Sequence, residues 1–566
     1  MWKTEYDIII VGAGVAGASL AYGLASAQPH LRICLLERSL EEPDRIVGEL
    51  LQPGGVRSLE KLGMADALKN LDSAPVKGYC VLDVREGKQV HIPYPEEARG
   101  AGFHYGRFIQ ALRNKVRERA RADASSGGVD LIEATVSNLI TRDLEPQVVV
   151  GVRATRKGKT GDEQETFSAP LTIVADGCFS NFRSTVLGEE NTVKPTVRSH
   201  FVGLVVRNVK LPHPNHGTVC LVQNHGPVLL YQIDQGNREG ERGTGTRMLV
   251  DVSQPFPEDL KEHIATRVCS QLPEEISEPI LACLADPDTR IRRMPNSFLP
   301  PAPQHVFRMS ALPFPLSLLN IPWSLLSLPF SKEAKDEIYV RQQPAKHNGR
   351  KEGVMLVGDS YNMRHPLTGG GMTVALHDVV ILTRLLSQQA EKSKQHPFGD
   401  WSAMNDILRK WYWERKALAS TINILSVALY DLFGAEDEDL EILRTGCFKY
   451  FERGGACVSE PVSILSGMMP SPSILFYHFF SVAFYAIYIL FTTADGRSFA
   501  GKVMKAFSVF RTACVVFIPL MWTEIRCWAP SAFSNVPNML LFGLIVAGAM
   551  RLATWPKASA SVGVAA

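Results

Sequence analysis

From Tyr6 the chain enters an unbroken apolar run, Ile8-Ile9-Ile10-Val11, the pattern of a strand buried on both faces. A glycine-rich turn follows, then "VAGASLAYGLA", which reads as a helix, and "LRICLLERS", a second strand that ends at Glu37 and Arg38. Two later runs, "LTIVADG" and "GVMLVGD", are also short apolar strands, ending in Asp176-Gly177 and Gly358-Asp359. Other segments, such as "VLLYQID" and "TRMLVDVS", alternate apolar and polar positions and predict half-buried strands. From Trp401 onward the pattern is helical. Ser473–Thr493 there carries no Asp, Glu, Lys or Arg and is long enough to cross a bilayer or lie in one leaflet. Two further apolar stretches, "RTACVVFIPLMW" from Arg511 and "NMLLFGLIVAGAM" from Asn538, strengthen the expectation of membrane contact without separating spanning from monotopic insertion.

Composition changes this picture little. A chain of 566 residues accommodates two or more domains, and a net charge of +2 gives no basic footprint for nucleic acid. The ten cysteines show no zinc-site spacing, and they read as reduced, mostly buried thiols of a protein facing the cytosol. The first turn carries more information. Gly12, Gly14 and Gly17 form G-x-G-x-x-G between strand and helix: Gly12 for the tight turn, Gly14 for close approach of a pyrophosphate, Gly17 for helix-to-strand packing. The amides beside Val15 and Ala16 would face phosphate. Glu37 suits the hydroxyls of an adenosine ribose, so FAD or NAD rather than NADP. The triplet Gly369-Gly370-Gly371, in "MRHPLTGGGMTVA", opens a helix after Asp359, with bare backbone against which a flavin ring can lie.

The order of these motifs resembles the flavoprotein hydroxylases of the para-hydroxybenzoate hydroxylase fold. That resemblance implies an α/β architecture: a Rossmann-like FAD-binding domain, a β-rich substrate domain and a C-terminal helical, membrane-associated region. A narrower resemblance, to the squalene monooxygenase (squalene epoxidase) family, is carried by "EPDRIVGELLQPGG", "GYCVLDVREGKQVHIPYP", "HYGRFIQALR", "PVLLYQID", "MPNSFLPP" and "GDSYNMRHPLTGGGMTVALHD". It implies FAD-dependent epoxidation of squalene with O₂ through a flavin hydroperoxide, in sterol synthesis. The electrons would come from NADPH through NADPH–cytochrome P-450 reductase, at the cytosolic face of the endoplasmic reticulum, in microsomes or on lipid droplets. No metal is required.

By the same resemblance the cofactor contacts include Val15, Ala16, Glu37, Arg38, Arg45, Leu50, Arg107, Val136, Asp176, Asp359, Gly370, Gly371 and Met372. Tyr79, hydrogen-bonded near Gln52, would orient the flavin face, and Tyr231, Phe451 and Phe480 would line the substrate cavity. His365 reads as structural. The FAD-binding domain is expected from 1–76, 102–193 and 352–400, the substrate domain from 77–101 and 194–302, and the helical region from 401–566. Residues 303–351, broken by Pro313, Pro315, Pro322 and Pro329, fit no part of the family pattern. They read as a retained intron or misplaced exon boundary, or else as an extra membrane-docking loop. Two rival functions remain open: another FAD monooxygenase or prenyl reductase acting on an isoprenoid, and a binding protein similar to GDP dissociation inhibitors.

Overall fold

The apolar N-terminal run is an interior strand of a seven-stranded sheet. Ile8–Val11 lies parallel to Arg32–Glu37 on one side and to Leu171–Val174 on the other, and Val354–Leu356 adds a further parallel strand at the edge. Gly128–Arg142 runs parallel to Arg32–Glu37, then turns back into an antiparallel ladder with Glu145–Arg156 and Gln164–Ser168. Parallel strands need cover on both faces. The helix Val15–Ala27 is buried through most of its length and packs against the helix Gly371–Lys392. The computed structural model describes residues 5–84, 87–95, 97–123, 126–157, 164–223, 225–237, 243–304, 350–393, 397–434, 437–493 and 496–525.

A second seven-stranded sheet has the order Arg292–Phe298, Thr196–Arg207, Gly245–Val252, Val228–Gln232, His216–Leu221, Gly78–Asp83, Lys88–Pro93. Its neighbours are antiparallel except His216–Leu221 with Gly78–Asp83. Alternation explains its two faces. Leu230, Met248 and Val250 join Ile276 and Ile280 of the helix Glu274–Ala285 in one apolar core, while Leu229, Tyr231 and Leu249 line a cavity. A small third sheet pairs Gly100–Gly102 with Leu50–Leu51 and Ala74–Val76.

The long helix Trp401–Phe433 was expected to open the C-terminal membrane region. It belongs to the same compact unit as these sheets, which among the described residues takes in 5–304, 350–434 and 451–475. Arg415 on this helix is fully buried with its guanidinium 2.7 Å from Asp378, and Trp411 Nε1 donates to the Asp378 carbonyl at 3.0 Å. The second unit comprises, among the described residues, 437–450 and 476–525. In it the rings of Phe479 and Phe517 stack with centroids 4.0 Å apart. Asp439 accepts hydrogen bonds from Ser508 and Thr512, and Lys505 Nζ lies 2.7 Å from it. Trp401–Phe433, Pro472–Thr492 and Phe499–Met521 are long and apolar enough to cross a membrane, which fits membrane association. The stretch from Asn538 lies outside the described residues.

Of the expected insertion 303–351, residues 305–349 lie outside the described residues, and the flanks are built into the fold. Gln304 Nε2 donates to the Leu356 carbonyl at 2.9 Å, and its Oε1 accepts from Leu356 N at 2.7 Å. One side-chain amide thus satisfies both main-chain groups of Leu356 on the edge strand. At the other flank Lys351 N donates to Val186 O, and Glu352 N to Gln147 O.

Candidate active site

Two helix starts converge on one cavity. Gly12 has φ of +105°, and a Cβ there would stand 2.4 Å from the Ala175 carbonyl oxygen; one on Gly17 would stand 1.9 Å from the Gly12 oxygen. Both positions therefore require glycine. A Cβ on Gly14, in contrast, would meet nothing within 4 Å, because Gly14 faces the cavity with Val15 and Ala16. The helix Val15–Ala27 has no side-chain cap and no acidic residue in its first turn, so its amides are open to an anion. The helix Gly371–Lys392 also starts without a side-chain cap or a first-turn acid, and Gly371 and Met372 line the same cavity.

The glycine triplet divides into three roles. Gly369 has φ of +60°, the left-handed region, and its Cβ would lie 2.9 Å from Leu50 Cδ2. Gly370 does not face the cavity: its Cβ would strike Ile422 Cγ2 at 2.6 Å, so its assignment as a cofactor contact is corrected to close packing on the helix Trp401–Phe433. Gly369 and Gly371 line the cavity, and at Gly371 a Cβ would touch nothing nearer than Arg364 Nη1 at 4.0 Å.

Asp359 follows the edge strand in a short 3₁₀ turn and lines the cavity. Arg183 ties this turn to the Asp176-Gly177 loop, donating from Nε to Ser360 O at 2.8 Å and from Nη2 to Asp359 O and Cys178 O at 3.2 Å each. Asp176 accepts from Asn181 N at 3.1 Å. Burial pushes its carboxyl above the usual range, against the hydrogen bonds from Ser180 and Asn181. Arg45 lines the cavity with its guanidinium 5.5 Å from the centre of the Tyr105 ring. Glu37 accepts from Ala13 N at 2.7 Å and lies 3.5 Å from the buried Arg113, a residue the sequence did not single out.

At the interface between the two large sheets, Gln52 and Tyr79 meet, as the family resemblance implied. Gln52 Nε2 donates to the Tyr79 hydroxyl and, at 2.8 Å, to the Thr368 carbonyl; Tyr79 itself lies 3.2 Å from that carbonyl. Tyr94 completes the group, donating to Gln52 Oε1 at 2.5 Å. Burial lifts the Tyr79 hydroxyl to about 12, against the hydrogen bonds with Gln52 and Tyr94. The sheet side of the cavity is Leu229, Tyr231 and Leu249, with the buried Glu49–Arg247 pair (2.8 Å from Oε1 to Nη2) beside them. Val47, missed by sequence reasoning, also lines the cavity and holds φ of 69°, strained for a β-branched side chain.

Other predicted residues stand apart. Arg38 is exposed, Arg107 sits in the first turn of the helix Tyr105–Arg117, and Val136 pairs with Ala154 in the antiparallel ladder. None of these three lines the cavity. Phe451 ends a helix and does not line it either. Phe480 belongs to the second unit, packed among Phe476, Phe510 and Phe517. It is not among the residues that line the cavity. His365 accepts from Leu367 N through Nδ1 and stacks on Tyr430 at 4.1 Å, which agrees with a structural part.

A family model of squalene epoxidase matches residues 168–310 and 330–502, and squalene monooxygenase of Mus musculus is 37% identical over 92% of this chain and 78% of its own. The chain belongs to the squalene epoxidase family. Squalene epoxidase erg1 of Aspergillus fumigatus is 38% identical, over 92% of this chain and 94% of its own. Among solved structures, p-nitrophenol 4-monooxygenase PnpA of Pseudomonas putida superposes with a TM-score of 0.57 at 13% identity, covering 83% of this chain and 99% of its own. The FAD-dependent monooxygenase pqsL of Pseudomonas aeruginosa gives 0.51 at 17% identity, over 76% and 96%. At that identity the likeness speaks for the fold, the flavoprotein monooxygenase architecture expected above. Family membership makes the chain an FAD-dependent oxidoreductase and sets aside both rival functions. The cavity fits the cofactor: two uncapped helix starts, open space over Gly14 and Gly371, and Arg45 and Asp359 at its wall. The family match is interrupted between 310 and 330, inside the expected insertion, and resumes well before Lys351.

Proposed function

We propose that the cavity takes FAD along its glycine side and squalene along its sheet side. One terminal double bond would meet the flavin while the remaining hydrocarbon lies against Leu229, Tyr231 and Leu249. The product is (3S)-2,3-oxidosqualene. Electrons come from NADPH through NADPH–cytochrome P-450 reductase, at the cytosolic face of the endoplasmic reticulum membrane. The observation that carries this reading is the pair of uncapped helix starts facing an apolar wall across one cavity.

Reduced FAD supplies activation of O₂, one oxygen atom going to the alkene and the other leaving as water. The protein binds, orients and excludes. Val15, Ala16 and Arg45 would hold the pyrophosphate, Glu37 the ribose, and Asp359 the ribityl chain, with Asp176 supporting the turn beside it. The amides of Gly371 and Met372, at the positive end of their helix, favour negative charge on the reduced ring. Apolar walls keep water from the reacting carbon. Tyr79, held neutral by burial, orients rather than exchanges protons.

The test is a product assay with detergent-solubilised full chain, FAD, NADPH, the reductase and squalene. We expect 2,3-oxidosqualene that disappears when FAD or the reductase is omitted. Flavin bound with no product from squalene would overturn the substrate assignment. A parallel chain lacking 311–329, with Gln304 kept, asks whether that segment obstructs the site; higher turnover without it supports a gene-model artefact.

A further inference from the structure

We propose that Tyr94 is a positioning residue for the flavin-facing loop, acting through Gln52. The inference rests on the reading of this cavity as the FAD site, and it follows from counting protons. Thr368 O is a carbonyl and can only accept, so the Gln52 amide must turn Nε2 toward it. That leaves Oε1 facing Tyr94, whose hydroxyl must donate, at 2.5 Å. The second Nε2 hydrogen goes to Tyr79, which forces the Tyr79 oxygen to accept. Tyr79 then has one proton left, directed either to Thr368 O at 3.2 Å or into the cavity that its ring lines. The Thr368 carbonyl thus orients the Gln52 amide, and Tyr94, as the donor to Oε1, secures it in that orientation.

The group is sealed from water: Gln52 is 0% exposed, Tyr94 6% and Tyr79 8%. Solvent therefore cannot replace a lost donor. The two tyrosine rings meet edge to face with centroids 5.8 Å apart, so Tyr94 also supports the ring of Tyr79. Its position in the chain matters as well. Tyr94 directly follows the outermost strand of the substrate sheet, Lys88–Pro93, and its own N–H is fixed to Lys77 O at 2.8 Å. Thr368 directly precedes Gly369-Gly370-Gly371. Through one glutamine amide, the edge of the substrate sheet thus holds the carbonyl that leads into the flavin-facing helix start.

Tyr94→Phe keeps the ring and removes only the donor. The amide of Gln52 is then held only through Nε2, and its buried oxygen is left without a donor. We expect FAD to bind about tenfold more weakly by flavin fluorescence titration, with a shifted visible band of the bound flavin. With squalene, kcat should fall while KM stays near the parent value. The deciding measurement is a double-mutant cycle with Gln52→Leu, read as FAD affinity without any substrate. If Tyr94 acts through Gln52, adding Tyr94→Phe to Gln52→Leu changes nothing further. Fully additive losses, or parent FAD affinity and spectrum in Tyr94→Phe, would overturn the proposal. Because these readouts need no turnover, a wrong substrate assignment would leave them intact. A melting temperature and FAD content for each variant separate a folding failure from a lost orientation.

Discussion

Substituting alanine separately at Gly370 and Gly371 should give opposite results, although the two residues are neighbours. A methyl at Gly370 would lie 2.6 Å from Ile422 Cγ2, about 1 Å inside ordinary carbon contact. Ile422 cannot yield easily, because it is fully buried in a cluster with Val374, Leu418 and Ala419. Gly370 itself has φ of −81° and ψ of −4°, which alanine adopts freely, so the penalty is overpacking alone. Such strain costs about 1–3 kcal/mol. At Gly371, the first residue of the helix, the methyl would touch only Arg364 at 4.0 Å, and alanine gains up to about 1 kcal/mol of helix propensity. The cofactor-free Gly371→Ala protein should therefore melt at or above the parent temperature, while Gly370→Ala melts several degrees lower. FAD affinity should reverse the order. The Gly371 methyl projects where the ring lies and should weaken binding about tenfold, roughly 1.4 kcal/mol; the Gly370 methyl points away from it. Thermal melts without FAD and fluorescence titrations with FAD measure both quantities. Equal melting losses in the two variants, or unchanged FAD affinity in Gly371→Ala, would refute the division of the triplet.

Replacing Arg247 by Met strands the buried Glu49 carboxylate and should cost about 3–5 kcal/mol in denaturant unfolding, more than any exposed ion pair on the molecule. His365 titrates near 6.5 in the unfolded chain, and burial, with Arg198 adding to it, brings it to about 3 in the fold. The unfolded chain therefore takes up this proton first as pH falls. The stability tied to it is intact above pH 6.5 and is lost toward pH 3 at about 1.4 kcal/mol per pH unit. His365→Asn should flatten the pH dependence of the urea midpoint across that window; an unchanged slope would show that the imidazole titrates normally. Gln304→Ala removes both bonds to Leu356 and should lower stability by about 1–3 kcal/mol, with earlier hydrogen exchange at Leu356 as the local sign.

Local backbone constraints were the most legible part of the sequence. Gly17 is needed by a contact within the strand–turn–helix unit itself and Gly12 by its φ of +105° in the tight turn, so their spacing announces them, although the contact of Gly12 with Ala175 does not show in that spacing. Which side each glycine of the 369–371 triplet turns to depends on Ile422 and Leu50, far away in the chain, and spacing carries no trace of that. Tyr94 escaped for the same reason: its partner is 42 residues earlier, and only the folded sheet edge brings them together. Trp401–Phe433 and Phe480 show a different limit. Hydropathy alone does not distinguish a helix buried in protein from one in lipid, and Trp401–Phe433, apolar enough to span, also carries Arg415 paired with Asp378 inside its unit. Likewise an aromatic ring packs equally well against other rings as against a hydrocarbon substrate.

The Gln304 amide has a consequence for how this chain tolerates change. It occupies the outer hydrogen bonds of Leu356, three residues before Asp359, where another strand would otherwise add. Its counterpart is Glu352, secured to Gln147 at the near end of the same strand. With both joints fastened to the sheet, the length of the chain running between them is uncoupled from the position of Asp359, and lengthening such a connection costs little. The boundary between 310 and 330, where the family match lapses, lies inside that span. A reporter grafted there should leave the turn at Asp359 in register, and FAD binding by the grafted chain would check it.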